Sequence, residues 1–159
     1  MKRSGILNDR LSGSIAALGH GDILLVVDAG FPIPRAAERI DLAITRDLPD
    51  LRTVLRLVHA EIHVERVLFA REMSEHNRPL DSFVRAEFAE AELDPQPHAE
   101  VLGRVGREAK TIVRTGAFDP WGNIGLVCGV DVGAYFSREG VTVPESYRAR
   151  FEAATAGNG

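Results

Sequence analysis

The stretch Leu18-Gly-His-Gly-Asp-Ile-Leu-Leu-Val-Val-Asp-Ala-Gly-Phe-Pro-Ile-Pro34 decides the fold. Its five consecutive apolar residues, Ile23 to Val27, are partly β-branched and do not alternate with polar ones. Such a run is typical of a strand that is covered on both faces. Asp28-Ala-Gly30 and two prolines then end the run. We therefore predict a central parallel strand at 23–27 with an ionisable residue near each end.

Alternating helix and strand signals surround this strand. Apolar residues at helical spacing predict helices at 8–18, 50–58, 78–93 and 98–108, and a turn at Asp94-Pro-Gln-Pro97 ends the third of these. Short apolar runs predict further strands at 40–45, 62–69, 111–115 and 123–130. This alternation predicts an α/β sandwich, a single domain in which helices flank a largely parallel central sheet.

The composition is that of an ordinary folded protein. The 159 residues suit one core, and 45% apolar with 26% charged residues excludes disordered and low-complexity classes. The net charge of -4 provides no basic excess for a phosphate backbone, so nucleic acid is not an expected partner. The only cysteine, Cys128, cannot form an internal disulfide. We expect a cytoplasmic protein with no signal peptide, membrane span or metal site.

Two ionisable residues flank the central strand. His20 lies between two glycines, where its ring can approach a ligand closely and transfer protons near neutral pH. Alternatively, His20 only ends the first helix, where a cationic side chain favours the helix dipole. Asp28 follows the apolar run and can hold sugar hydroxyls, or it can cap the turn at Ala29-Gly30.

The distance between these two residues is a difficulty. Eight residues of extended chain span roughly 26 Å, which is too far for His20 and Asp28 to contact one small ligand. Either Gly19 and Gly21 fold the chain back, or two subunits contribute residues to one site.

Two further segments carry candidate binding groups. His98 opens a predicted helix, and its imidazole can donate and accept hydrogen bonds. Trp121-Gly-Asn123 combines an aromatic face, a permissive backbone and an amide, which suits a sugar; a buried tryptophan and a turn-forming asparagine are the alternative. His59 and His63 flank Glu61, but a predicted helix-to-strand change separates them, so this pair is a weak metal signal.

Together, these segments resemble the D-ribose pyranase family and, less closely, the related L-fucose mutarotase family. The resemblance covers about 130 residues, and its most specific part is the Gly-His pair followed by Asp-Ala-Gly-x-Pro-Ile-Pro. The matching segments are Gly5-Ile-Leu-Asn8, Leu18-Gly-His20, Asp28 to Pro34, Arg39-Ile-Asp-Leu-Ala43, His98, Val113-Arg-Thr-Gly116, Trp121-Gly-Asn123 and Gly129-Val130.

The resemblance implies an enzyme that opens and recloses the ring of a free monosaccharide such as D-ribose by acid/base chemistry, without a metal or an organic cofactor. It converts pyranose into furanose forms, and one anomer into the other. His20 matches the family's proton donor, and Asp28 and His98 match its sugar-binding positions. Trp121, Gly122 and Asn123 match a substrate-binding loop. In the family, a neighbouring subunit of a ring-shaped homo-oligomer supplies that loop, so the sites lie at subunit interfaces.

Three features depart from the family pattern. Trp121 stands where the ribose members usually have tyrosine, and its indole N–H can only donate. Gly21 and Gly122 are more similar to fucose mutarotases. Residues 131–159 extend past the family domain at 1–130, and we expect them to pack on that domain as a strand-like piece and a helix with frayed last residues. A non-catalytic sugar-binding or transport-associated protein, or an oligomeric scaffold, is the alternative to an enzyme.

Overall fold

A computed structural model describes residues 1–156, and its centre is a six-stranded mixed sheet. Across the sheet the strands follow the order β2-β5-β1-β6-β3-β4, where the numbers give their order along the chain. Only β6 runs antiparallel to its neighbours, β1 and β3, so the other five described strands point the same way. The strands are β1 (Ile23–Val27), β2 (Glu38–Asp41), β3 (Val64–Ala70), β4 (Glu92–Gln96), β5 (Thr111–Arg114) and β6 (Asn123–Cys128).

Short helices connect these strands. Asn8 caps α1 by accepting from the N–H of Leu11, and Asp50 caps α2 by accepting from the N–H of Thr53. Both helices are confirmed, with ends that differ from the prediction by up to two residues. The helices are α1 (Asp9–Ala16), α2 (Leu51–His59), α3 (Glu72–His76), α4 (Arg78–Glu87), α5 (His98–Glu100) and α6 (Gly106–Glu108), with a π-helical turn at Val101–Val105 between the last two.

The central strand is buried on both sides, as predicted. Leu24 and Val26 pack into a larger apolar cluster with α2 and α4, while Leu25 and Val27 pack into a second cluster on the other face. All four side chains are inaccessible to solvent. Burial of this kind, at about 25 cal/mol per Å² of apolar surface, makes β1 a rigid support for the residues at its two ends.

The predicted helix at 78–93 is wrong in its second half. The helix α4 ends at Glu87, and Glu92–Gln96 forms the edge strand β4, parallel to β3. The predicted turn around Pro95 is therefore part of a strand. A proline has no N–H to donate, but an edge strand tolerates it because one side of its backbone needs no partner in the sheet. The predicted strand at 40–45 is also shifted, since β2 begins at Glu38 and ends at Asp41.

Residues 130–156 are the described part of a second compact unit. It contains α7 (Val132–Phe136) and α8 (Glu145–Ala156), and the ring of Phe136 contacts those of Tyr147 and Phe151 at centroid distances of 5.5 and 6.4 Å. The prediction of a strand-like piece in this unit is wrong, because its described residues contain two helices and no strand. Residues 154–156 are the last residues of α8, and residues 157–159, which the prediction of frayed last residues also covers, lie outside the described residues.

Candidate active site

The predicted site residues lie at two opposite edges of the sheet. We call the edge at which the five parallel strands end, and β6 begins, the carboxyl edge; the opposite one is the amino edge. His20 lies at the amino edge, three residues before Ile23, where β1 begins. The other five predicted residues lie at the carboxyl edge: Asp28, His98, Trp121, Gly122 and Asn123.

At the carboxyl edge, Asp28 and Asn123 form a reciprocal pair. The backbone N–H of Asp28 donates to Oδ1 of Asn123 at 3.2 Å, and Nδ2 of Asn123 donates to Oδ2 of Asp28 at 3.1 Å. The antiparallel pairing of β1 with β6 places the two residues side by side, because Val27 is the register partner of Asn123. Asn123 is 2% exposed, so its amide is a fixed support for the Asp28 carboxylate.

The carboxylate of Asp28 also binds its own turn. Its Oδ1 accepts from the N–H of Gly30 at 2.7 Å, so the turn-capping role that the sequence left open is present. Each carboxylate oxygen can accept two hydrogen bonds, and these contacts use one on each oxygen. Capping and sugar binding are therefore compatible, since the carboxylate has more acceptor positions than these contacts use.

Burial raises the pKa of Asp28 above its ordinary value, although several contacts oppose the shift. The N–H of Gly30, the amide of Asn123 and the N–H of Phe31 all favour the ionised carboxylate. His98, 70 positions later in the chain, follows β4 at the same edge of the sheet.

A cavity of about 550 Å³ opens beside Asp28, a volume sufficient for a monosaccharide. Gly116 also lines it, and a Cβ there would lie 2.3 Å from the carbonyl oxygen of Thr45, so only glycine fits. Arg114 donates from Nε to the carbonyl oxygen of Ala29 at 3.0 Å and from Nη1 to the Asp41 carboxylate. Arg114, which the sequence showed only as part of a matching motif, therefore holds the turn that follows Asp28.

His98 begins the helix that follows β4. Its backbone N–H donates to the carboxylate of Glu72 at 3.1 Å, and Glu72 lies just after β3. The π-helical turn at Val101–Val105 follows at once, and such turns occur frequently near functional sites. Glu72 was missed in the sequence, because nothing in the spacing of residues 72 and 98 indicates that β3 and β4 are neighbours.

The loop before β6 is bound by two side chains, one from α2 and one from the residue between α3 and α4. Asp119 accepts from Arg52 of α2 at 3.2 Å, and the carbonyl oxygen of Pro120 accepts from Asn77 at 3.0 Å. Gly122 closes the turn: a Cβ there would lie 2.8 Å from the carbonyl oxygen of Asp119. Trp121 has a φ of 57°.

The indole of Trp121 stacks on the imidazole of His76 in α3, with a centroid distance of 5.2 Å. The Trp121 side chain also packs against the larger apolar cluster. Asn123, the last residue of this loop, contacts Asp28 within one chain.

At the amino edge, His20 lies apart from this group. The N–H of Gly21 donates to the carbonyl oxygen of Cys128 at 2.8 Å, which keeps the chain in line with the sheet. The φ of Gly21 is 83°, but the chain does not fold back toward Asp28. Nε2 of His20 instead contacts Oε2 of Glu65 at 3.1 Å, and Glu65 is a residue that the sequence did not single out. The first of the two solutions to the distance problem, a fold-back of the chain at Gly19 and Gly21, is therefore absent from the structure.

Cys128 is expected to be unreactive in the folded protein. Its side chain is buried at the amino edge, and burial raises the pKa of the thiol to about 11. At pH 8 about one thiol in a thousand would be ionised, and the thiolate is the reactive form. Alkylation by iodoacetamide, followed by mass spectrometry, should be about 100-fold slower or more than in protein unfolded in urea. Comparable rates in the two states would contradict the burial.

The described residues contain neither a metal centre nor a membrane span. No group of three or more His, Cys, Asp or Glu side chains within residues 1–156 could hold a metal ion. His59 is instead bound to Glu87, with Nδ1 to Oε1 at 3.0 Å. Over the same residues, every helix is too short or too polar to cross a bilayer.

Comparison with known proteins identifies relatives that match almost the whole chain. The chain is 59% identical over 150 residues to D-ribose pyranase 1 of Streptomyces griseus, covering 94% of this chain and 99% of that protein. It is 57% identical over 150 residues to D-ribose pyranase 2 of Rubrobacter xylanophilus, covering 94% and 97%. Among solved structures, it matches RbsD of Bacillus subtilis complexed with D-ribose with a TM-score of 0.78 and 35% identity, covering 82% of this chain and 98% of that one.

A more distant likeness concerns the fold alone. The fucose mutarotase of Streptococcus pneumoniae has a TM-score of 0.60 at 17% identity, over 78% of this chain and 94% of that one. Residues 1–131 match the model of one protein family. Since this family model covers most of the chain and two relatives are more than half identical to it, the chain belongs to the RbsD / FucU transport protein family.

Proposed function

We propose that this protein is a cofactor-independent isomerase that interconverts the pyranose and furanose forms, and the anomers, of free D-ribose. The observation that carries the proposal is the identity of 59% and 57% with two D-ribose pyranases along almost their whole length. The cavity that Asp28 lines supplies a place for the sugar, and Asn123 supports the Asp28 carboxylate there. D-Ribose is favoured over L-fucose because the likeness to the fucose mutarotase extends only to the fold.

The proposed chemistry needs few groups. Opening a cyclic sugar requires a proton for the ring oxygen as its bond to the anomeric carbon breaks, while the anomeric hydroxyl releases its proton to water. His20 is the proposed acid, and it takes the proton back when a different hydroxyl closes the ring. Asp28 and His98 hold sugar hydroxyls, and the loop at Trp121-Gly-Asn123 closes over the sugar and supports Asp28.

This chemistry requires two copies of the chain. His20 and Asp28 lie at opposite ends of β1, so we propose that the amino edge of one subunit packs on the carboxyl edge of the next. Such a head-to-tail contact uses two different surfaces, and it either closes into a ring or continues as a filament. A ring-shaped homo-oligomer with one site at each interface satisfies the geometry. A cytoplasmic location suits an enzyme that prepares a free sugar for further metabolism.

The test is NMR magnetisation exchange between the anomeric signals of D-ribose, with L-fucose and other aldoses as a panel. We expect wild-type protein to accelerate pyranose–furanose exchange of ribose well beyond the rate in buffer and to act more weakly on the other sugars. Binding of ribose without acceleration would overturn the proposal in favour of a sugar-binding protein. Acceleration of ring exchange in L-fucose but not in D-ribose would show that the substrate is L-fucose.

A further inference from the structure

The contact that the proposed acid makes at the amino edge leads beyond the residues considered so far. His20 has one ring nitrogen, Nε2, within 3.1 Å of Oε2 of Glu65. The histidine side chain is 46% exposed, whereas that of Glu65 is only 20% exposed. One partner is therefore anchored in the protein and the other extends into solvent, where a neighbouring subunit would place the sugar.

We propose that Glu65 is a positioning residue that holds the hydrogen of His20 on Nε2, so that Nδ1 is the nitrogen that exchanges protons with the sugar. This inference rests on the proposed function of His20. A carboxylate oxygen can only accept a hydrogen bond, so the hydrogen between the two groups belongs to Nε2. The hydrogen bond of one ring nitrogen determines the role of the other, which leaves Nδ1 as the free position.

The backbone of β3 supports a dedicated role for Glu65. Val64 is the register partner of Cys128 and Arg66 is the partner of Val127, so two steps along β3 correspond to one step along β6. Glu65 is the extra residue of this β-bulge. A bulge disrupts the ladder locally and redirects a side chain, and bulges are common next to active sites. Here the bulged residue carries the carboxylate that reaches His20 across the end of β6.

Other groups at the amino edge anchor the loop that carries His20. Asp22 is bound to Lys110, with Nζ to Oδ2 at 2.6 Å, and Asp22 also accepts from the N–H of Gly19. The loop that carries His20 is therefore anchored on both sides of the histidine by Gly19 and Gly21, through groups other than Glu65. Removing the Glu65 carboxylate should therefore change which nitrogen of the His20 ring carries the hydrogen, without displacing the backbone of His20.

The proton balance of the step is simple. The protonated ring gives the hydrogen on Nδ1 to the ring oxygen of the sugar as the bond from that oxygen to the anomeric carbon breaks. The electron pair of the anomeric O–H bond forms the carbonyl, and its proton goes to water. On reclosure, the attacking hydroxyl returns a proton to Nδ1 as its oxygen bonds to the carbonyl carbon, and the carbonyl oxygen takes a proton from water to become the new anomeric hydroxyl. The hydrogen on Nε2 stays with Glu65 throughout, and Glu65 is unchanged.

The chain offers a matched control. His59 and Glu87, on α2 and α4, form a second histidine–carboxylate pair at 3.0 Å, and the carboxylate side chain is 21% exposed. The pair therefore resembles His20–Glu65 in distance and in burial of the carboxylate, but neither residue belongs to the proposed site. Glu87→Gln removes a comparable charge with no expected effect on catalysis.

The experiment compares Glu65→Gln, Glu65→Ala and Glu87→Gln with wild type in the assembled protein. We expect kcat for ribose exchange to fall about 10-fold or more in both Glu65 variants, with KM within about twofold, since loss of a positioned proton-transfer group costs 10²–10⁴-fold. Long-range ¹⁵N–¹H NMR of the His20 ring should show hydrogen on Nε2 in wild type and in Glu87→Gln, and a mixture of the two forms in Glu65→Ala. Melting temperatures identify any variant that fails to fold.

If wild type is active and His20→Ala is inactive, the proposed function of His20 stands. Either of two results would then overturn the role of Glu65. One is an unchanged kcat in both Glu65 variants, and the other is hydrogen retained fully on Nε2 in Glu65→Ala. If wild type itself does not accelerate exchange, the proposed function fails and the role of Glu65 fails with it. The NMR signature of the ring is measured without sugar, so it separates these cases.

Discussion

His20→Ala is expected to reduce ribose ring exchange about 100- to 10,000-fold, the usual contribution of a positioned acid or base. Sugar affinity should stay within about tenfold of wild type, because the groups proposed to hold the sugar lie at the other edge of the sheet. NMR exchange rates measure the first quantity, and titration of the protein with ribose measures the second.

His63→Ala is the control for this variant. His63 precedes β3 at the same edge, and its backbone carbonyl accepts from the N–H of Gly129. The side chain has no assigned part in the reaction, so exchange should stay within about twofold of wild type. Near-normal exchange in His20→Ala would show that another group protonates the ring oxygen.

Asp28→Asn should weaken ribose binding about 10- to 100-fold, because a hydrogen bond to a charged acceptor contributes about 1.5–3 kcal/mol. The new amide also places a donor where the carboxylate accepts from Gly30 or from Asn123. Asp81→Asn, on α4 and bound to Arg85, is the matched control and should bind ribose normally. Normal ribose affinity in Asp28→Asn would show that the Asp28 carboxylate does not bind the sugar.

The pKa of Asp28 determines how the affinity for ribose should depend on pH. Burial raises the pKa of Asp28, so the carboxylate is protonated at a higher pH than an ordinary aspartate. Affinity for ribose should therefore be full above that raised pKa and fall as the pH is lowered through it. Asp28→Asn should show no such fall over the same range, whereas Asp81→Asn should retain it. A pH-independent affinity in wild type would contradict binding by the carboxylate.

The local features of the fold could be predicted because they depend on nearby residues. The run at 23–27 indicated a strand buried on both faces, and Asn8 and Asp50 indicated helix starts; the structure has all three. The strand β4 could not be predicted in this way. Its stability comes from pairing with β3 at the edge of the sheet, and that contact is invisible in a segment that contains Pro95.

The candidate site was predictable in composition but not in arrangement. The resemblance supplied Asp28 and Asn123, yet their mutual contact depends on the antiparallel pairing of strands that are 95 positions apart at this point. Glu65 had no signal in the sequence, because a β-bulge depends on the register of two strands and not on one residue type. The separation of His20 from Asp28, by contrast, followed from strand length alone.

A mixed oligomer tests the shared site most directly. His20→Ala and Asp28→Asn chains, carrying different tags, are co-expressed, and native mass spectrometry confirms that both enter one assembly. Each variant alone should be nearly inactive at ribose concentrations below KM. In a 1:1 mixture, about a quarter of the interfaces join an intact amino edge to an intact carboxyl edge, so about a quarter of wild-type activity should return. Mixed assemblies that stay as inactive as the separate variants would show that His20 and Asp28 do not act across an interface.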